Sequence, residues 1–180
     1  MESAVDKVKV DFEDTLKEWA EKLILTIQKN MELEGVNASG RTSASLEYVL
    51  TDYGIQIVGA PYFAERVEVG RTPTKNPMTF DFAAIIAQWI KDKGIQSKFE
   101  ISNDRDLQKV AKAIAFKISS EGSLKYREPD KQTDVYSTAV AESVEELAQK
   151  LLTSAGERLM GVMDDIIRQD GDKVGTTKIK

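Results

Sequence analysis

Residues 38–73 read ASGRTSASLEYVLTDYGIQIVGAPYFAERVEVGRTP, and the period of this stretch decides the fold. Leu46, Tyr48 and Leu50 alternate with Glu47, Val49 and Thr51, the two-residue period of a strand with one face buried. Asp52-Tyr53-Gly54 supplies a tight turn, with Gly54 free to take positive φ. Ile55 and Ile57 then alternate with Gln56 and Val58, and Gly59-Ala60-Pro61 ends the return strand, because proline cannot donate to a ladder. The result is an antiparallel hairpin over about 45–59. The next run, YFAERVEV (62–69), fits either a short helix or a strand. Gly70 to Thr79 contains two prolines and reads as an exposed, drawn-out loop, since a residue before proline is pushed to extended geometry.

Outward from the hairpin the period changes to that of helices. Upstream, Val5, Val8, Phe12, Leu16, Trp19, Leu23, Ile27 and Met31 step by three or four, predicting one long helix over Ser3–Glu34 with Gly35 as its stop. Such a helix is about 45 Å long. It either crosses its own sheet or packs in part on something else, a neighbouring copy included. Downstream, Phe82, Ile86, Trp89 and Ile90 predict a helix ending at Lys93, with Gly94 just past it. Leu107, Val110, Ala111, Ile114 and Ile118 predict another, started by Ser102 or Asn103 and ending near Ser119. Together they read as a central helix pair laid on the sheet. Ser123–Asp134 is dense in charge and reads as a surface loop or extended arm. Val140, Val144, Leu147, Leu151, Ala155, Leu159, Val162 and Ile166 predict a final helix over Val140–Gln169, with a bend or break open to it at Gly156 and Gly161. The class is therefore α+β: a small sheet flanked by long terminal helices and a central pair. Residues 1–170 form one domain and 171–180 a flexible polar tail.

Composition narrows the chemistry. The 180 residues carry a net charge of −5, against a general nucleic-acid binder with its basic face. There is no cysteine and no histidine, so disulfides, thiol catalysis, zinc held by those ligands and every nucleophile–histidine arrangement are excluded. No run reaches the roughly 20 apolar residues of a membrane helix. The acidic, periodic N-terminus is unlike a secretory signal, and the expected origin is cytoplasmic. The carboxylate pairs Asp164-Asp165, Glu145-Glu146 and Asp104/Asp106 fall on polar helix faces, where solvated surface charge is the ordinary reading. A calcium loop is not present, because NDRDLQ lacks the glycine and the closing glutamate. Gly40-Arg41 and Gly70-Arg71 lack the Lys-Ser/Thr ending of a phosphate loop. They are turns with exposed arginines or, since arginine is enriched at interfaces, contacts for a partner protein.

In order along the chain, three features resemble the tail-completion and head–tail joining proteins of tailed bacteriophages. They are the long first helix leading to Ala38-Ser39-Gly40-Arg41-Thr42-Ser43-Ala44-Ser45-Leu46, the strand pair ending in Pro61-Tyr62-Phe63-Ala64, and Val67-Glu68-Val69-Gly70-Arg71-Thr72-Pro73. The last is similar to the Val-Glu-x-Gly-Thr run of those proteins, with Arg71 standing where many have threonine. The stretches around Ala113-Ile114-Ala115 and Asp134-Val135-Tyr136-Ser137 look like their later part. The resemblance implies a non-enzymatic virion component without cofactor, located in the neck and made in the host cytoplasm. It implies a homo-oligomeric ring in contact with portal, adaptor or tail proteins, with DNA only passing through the lumen and no specific DNA binding. Arg41, Tyr62, Glu68, Arg71 and Lys75 are the expected contact residues, and Gly70–Thr79 is the expected interaction loop at the edge of the sheet. The alternative is a soluble adaptor module unrelated to phage, and more distantly a carboxylate-dependent metal enzyme.

Overall fold

The computed structural model describes residues 4–61, 63–74 and 80–174. Helix α1 (Ala4–Leu33) is followed by a single turn, α2 (Arg41–Ala44), and the hairpin β1 (Glu47–Thr51) and β2 (Gly54–Val58). A second single turn, α3 (Phe63–Arg66), leads through 67–74 to α4 (Phe80–Asp92) and α5 (Asp104–Glu121). A further turn, α6 (Leu124–Arg127), precedes the last helix, α7 (Ser137–Val174). The fold is α+β, with a two-stranded antiparallel sheet in which Tyr48 pairs with Ile57 and Thr51 with Gly54.

Two apolar clusters hold the chain. In the first, Leu23, Ile24, Ile27 and Met31 of α1 meet Leu46, Val135 and Ala139, with Tyr48 and Ile57 of the sheet packed against them. The hairpin lies on α1, and α7 runs beside α1 in the opposite direction. Trp19 Nε1 donates to the Ser143 carbonyl at 2.8 Å, Lys22 pairs with Glu146 at 2.8 Å, and Asn30 Nδ2 donates to the Val135 carbonyl at 3.0 Å. In the second cluster, Ala83, Ile86, Ala87 and Ile90 of α4 face Leu107, Ala111 and Ala115 of α5. Alanine at the crossing lets the two helices approach closely. Asn103 caps α5, its Oδ1 accepting from the Asp106 amide at 3.0 Å.

The central pair is not laid on the sheet. Its apolar faces are used against each other, and α1 already covers the hairpin. Trp89, expected in the core, is exposed, as are Phe12 of α1 and Leu50 of β1. Ser123–Asp134 is not a loose arm: it contains α6 and a short 3-10 turn at Pro129–Lys131, and it leads to the fully buried Val135. The helix α7 starts three residues earlier than its apolar stripe suggests and runs as one helix through Gly156 and Gly161 to Val174, into the segment read as tail. Its 38 residues extend about 57 Å at 1.5 Å each.

Candidate functional site

The segment after the hairpin is a clasp between the two clusters. Glu68 is its center. Although a carboxylate, Glu68 is only 8% exposed. Its Oε1 accepts from the backbone amides of Val135 (2.9 Å), Tyr136 (2.6 Å) and Ser137 (2.9 Å), and its Oε2 accepts from the Ser137 hydroxyl at 2.5 Å. The first turn of a helix has amides with no partner inside the helix, and its dipole favours negative charge. Glu68, from a point distant in sequence, takes the Ser137 amide of that turn and the two amides just before it, and puts its charge at the start of α7. A local cap supplements it: Asp134 Oδ1 accepts from the Thr138 amide at 3.0 Å and its Oδ2 from the Thr138 hydroxyl. These bonds, the hydroxyl foremost, hold the Asp134 carboxyl below its ordinary pKa of 3.8.

The rest of the clasp is built around the same segment. Lys125 donates to the Val67 carbonyl and to Thr133 Oγ1, both at 2.7 Å. Burial pushes its ammonium below the ordinary lysine range, against the opposing pull of Glu34 and Glu68. Burial first, and then Glu68, raises the Tyr136 phenol, whose ring packs 5.4 Å from that of Phe63. Gly70 has φ +83, and a Cβ there would stand 2.3 Å from Ser123 Oγ. Glycine thus lets the backbone lie directly on the start of α6, where the Arg71 amide donates to Ser123 Oγ and the Ser123 amide returns a bond to the Arg71 carbonyl, each at 2.8 Å. The Arg71 guanidinium lies 3.9 Å over the Phe82 ring of α4, a cation–π contact, and burial lowers its pKa. The Thr74 amide then donates to the Ser119 carbonyl at 2.9 Å.

Of the five residues expected at an interface, the structure brings Glu68 and Arg71 together in this clasp. Glu68 is committed inside the chain. Arg41 lies elsewhere, exposed, 3.6 Å from Asp92 of α4. Near it Lys93 donates to the Gly35 and Asn37 carbonyls, a second link between the clusters. Tyr62 and Lys75 lie outside the described residues.

The surface left open is at the other end of α7. Leu152 (73% exposed), Leu159 (66%), Met160, Val162 (60%) and Met163 all face solvent. Leu152, Leu159 and Val162 line a shallow groove of about 570 Å³ between α1 and α7, with Phe12 and Thr15 on its α1 wall. Leu159 and Val162 belong to the stripe read from sequence as inward-facing, and here that stripe leaves the core. The cause is length: the buried cluster reaches no further along α7 than Ala139, with Val140 packed against it. The spacing carried no signal of this, because Val140, Val144, Leu147 and Leu151 step by four and three just as Ala155, Leu159 and Val162 do.

Among the described residues no group of three or more acidic side chains is placed to hold a metal ion, and no helix is long and apolar enough to cross a membrane. No protein family, curated protein or solved structure matches the chain.

Proposed function

We propose that this chain is a structural, non-enzymatic virion protein of a tailed phage, a neck or tail-completion subunit that forms a homo-oligomeric ring between portal or adaptor and tail. The observation that carries the reading is the α1–α7 arm, whose outer half projects beyond the core and presents large apolar side chains to solvent. An ordinary monomer scatters such residues singly, whereas a contiguous apolar run on a projecting helix fits a partner surface. The resemblance of 38–73 and 134–137 to the phage neck proteins supplies the setting. The net charge of −5 suits a channel past which DNA slides without holding, since attraction to phosphate comes from lysine and arginine. A ring contact joins one patch to a different patch, and the arm of one subunit against the body of the next is such a contact.

The test is reconstitution. A portal gene should lie near the gene for this chain. The purified protein should co-sediment with that portal and close as rings on it in negative-stain images. Absence of binding to the portal and to the adjoining tail proteins would overturn the reading.

A further inference from the structure

We propose that the α4–α5 pair is a hinged unit, rooted in the clasp and held shut at its tip by a polar latch that releases. The two helices run antiparallel, so the chain enters and leaves the pair at the same side. There the Thr74 amide, ahead of α4, donates to the Ser119 carbonyl near the end of α5 at 2.9 Å. At the opposite side Lys91 of α4 pairs with Asp104 of α5 at 3.4 Å. That side is the tip, about 20 Å from the root along the 13 residues of α4. The apolar faces of the pair are spent on each other. Its cluster shares no residue with the cluster on α1, and the half-buried apolar residues packed on one are not those packed on the other.

The latch is made of charged groups. Lys93, just past α4, donates to the Gly35 carbonyl and, at 2.6 Å, to the Asn37 carbonyl. Both follow the C-terminal end of α1, where the helix dipole favours a cation. Beside it Arg41 Nη2 lies 3.6 Å from Asp92 Oδ2. That is too long for a hydrogen bond, and Asp92 Oδ2 is buried without one, although Oδ1 accepts from Gln88 Nε2 at 2.7 Å. A buried carboxylate oxygen lacking a hydrogen bond is costly, and opening the tip returns it to water. Two terms are therefore opposed at one place: the bonds of Lys93 favour the shut state, and the hydration of Asp92 favours the open one.

The root is built to stay. On the body side of it, Arg71 and Ser123 exchange two bonds of 2.8 Å, and Lys125 ties α6 to the Val67 carbonyl. On the side of the pair, Thr74 is bonded to Ser119. The chain crosses between the two sides at Thr72–Pro73 and again at Gly122, whose φ is +89. Domain hinges are a few such element-terminal residues. The Arg71 guanidinium lies over the Phe82 ring with its buried Nε free of any hydrogen bond, and such a contact tolerates a turn better than a directional bond does. A small turn at the root carries the tip away from Gly35 and Asn37. The hinge goes beyond the ring reading and does not depend on it.

Because the chain has no cysteine, spin labels on introduced thiols report the motion directly. One labelled pair joins Lys29→Cys on α1 to Ser97→Cys in the turn Gln96–Phe99 at the tip, both exposed positions. A control pair, Ser97→Cys with Gln108→Cys, lies wholly within the hinged unit. Electron–electron distances of the first pair should show a main short distance and a minor longer one. Lys93→Met should raise the ratio of longer to shorter about tenfold, the effect of losing charge-assisted bonds. Arg41→Ala should raise it no more than about twofold, as befits an exposed ion pair. The control distance should stay single throughout. One unchanged distance for the first pair in both the parent and Lys93→Met would overturn the proposal. A second distance in the control would also overturn it, because the pair would then be melting and not turning. The measurement is made on the free protein, so its outcome is separate from that of portal binding.

Discussion

The two ends of α7 are made of the same kind of helix and finished in opposite ways. At the inner end the polar groups are partnered: a buried carboxylate from the clasp takes three backbone amides and a hydroxyl, Asp134 caps the same first turn at Thr138, and Val135 is fully enclosed. At the outer end Leu152, Leu159 and Val162 stand in water. Directional, desolvated hydrogen bonds specify one arrangement and leave no alternative at low cost. Apolar side chains in solvent specify nothing until another surface covers them. The difference teaches that the fold is decided at the inner end of α7 and that the outer end is available for assembly.

The sharpest way to break this contrast is at Glu68. Glu68→Ala leaves several buried donors unsatisfied and should cost about 3 kcal/mol or more, read as the loss in urea denaturation. Glu68→Gln keeps an acceptor for the amides, and the Ser137 hydroxyl can turn to accept from it, so about half of that loss is expected. An alanine variant as stable as the parent would mean that the cap is decorative. Next is Gly70→Ala, which forces a side chain into φ +83 and against Ser123. It should cost about 2 kcal/mol, measured in the same way.

A smaller effect is expected from pH. The Asp134 carboxyl sits below its ordinary 3.8 in the fold, so its ionised form is the favoured one. Its contribution is complete above that value and is lost as pH falls through and below it. The urea midpoint should fall as pH drops from about 5 toward 2, and Asp134→Asn should flatten part of that slope. Equal slopes in the two proteins would remove Asp134 from the account. The smallest effects should come from Arg41→Ala and Leu159→Glu. Both residues are largely exposed, and each change should move stability by no more than about 0.5 kcal/mol. Leu159→Glu sharpens the contrast because it should weaken assembly with the portal while leaving the fold intact.

Most of the architecture was legible because it is local. Periodicity gave α1 to within a residue at each end, and it gave the hairpin and its turn, both central helices, and Asn103 as one of two candidate caps. What escaped depends on contacts across long separations. Nothing around Glu68 in sequence marks it as the cap of a helix that begins at Ser137, and an exposed glutamate has the same local pattern. Ser123–Asp134 does lie at the surface, but its charges hide that Lys125 and Ser123 bond the clasp. The helix pair was set on the sheet because apolar stripes say that a face is covered, not by what. The Gly-Arg turn was read as an exposed contact, and its glycine is instead the point of closest approach between two segments. Leu159 and Val162 were read as core for a related reason, since a stripe continuous in sequence does not announce where the core beneath it stops.

The most direct measurement is hydrogen exchange along α7 with and without the portal. The account predicts strong protection from Ser137 to Leu147 that the portal does not change. From Leu152 to Met163 it predicts weak protection that rises when the portal is added. Fast exchange at Ser137–Val140, or protection over 152–163 that is equally strong with and without the portal, would contradict it.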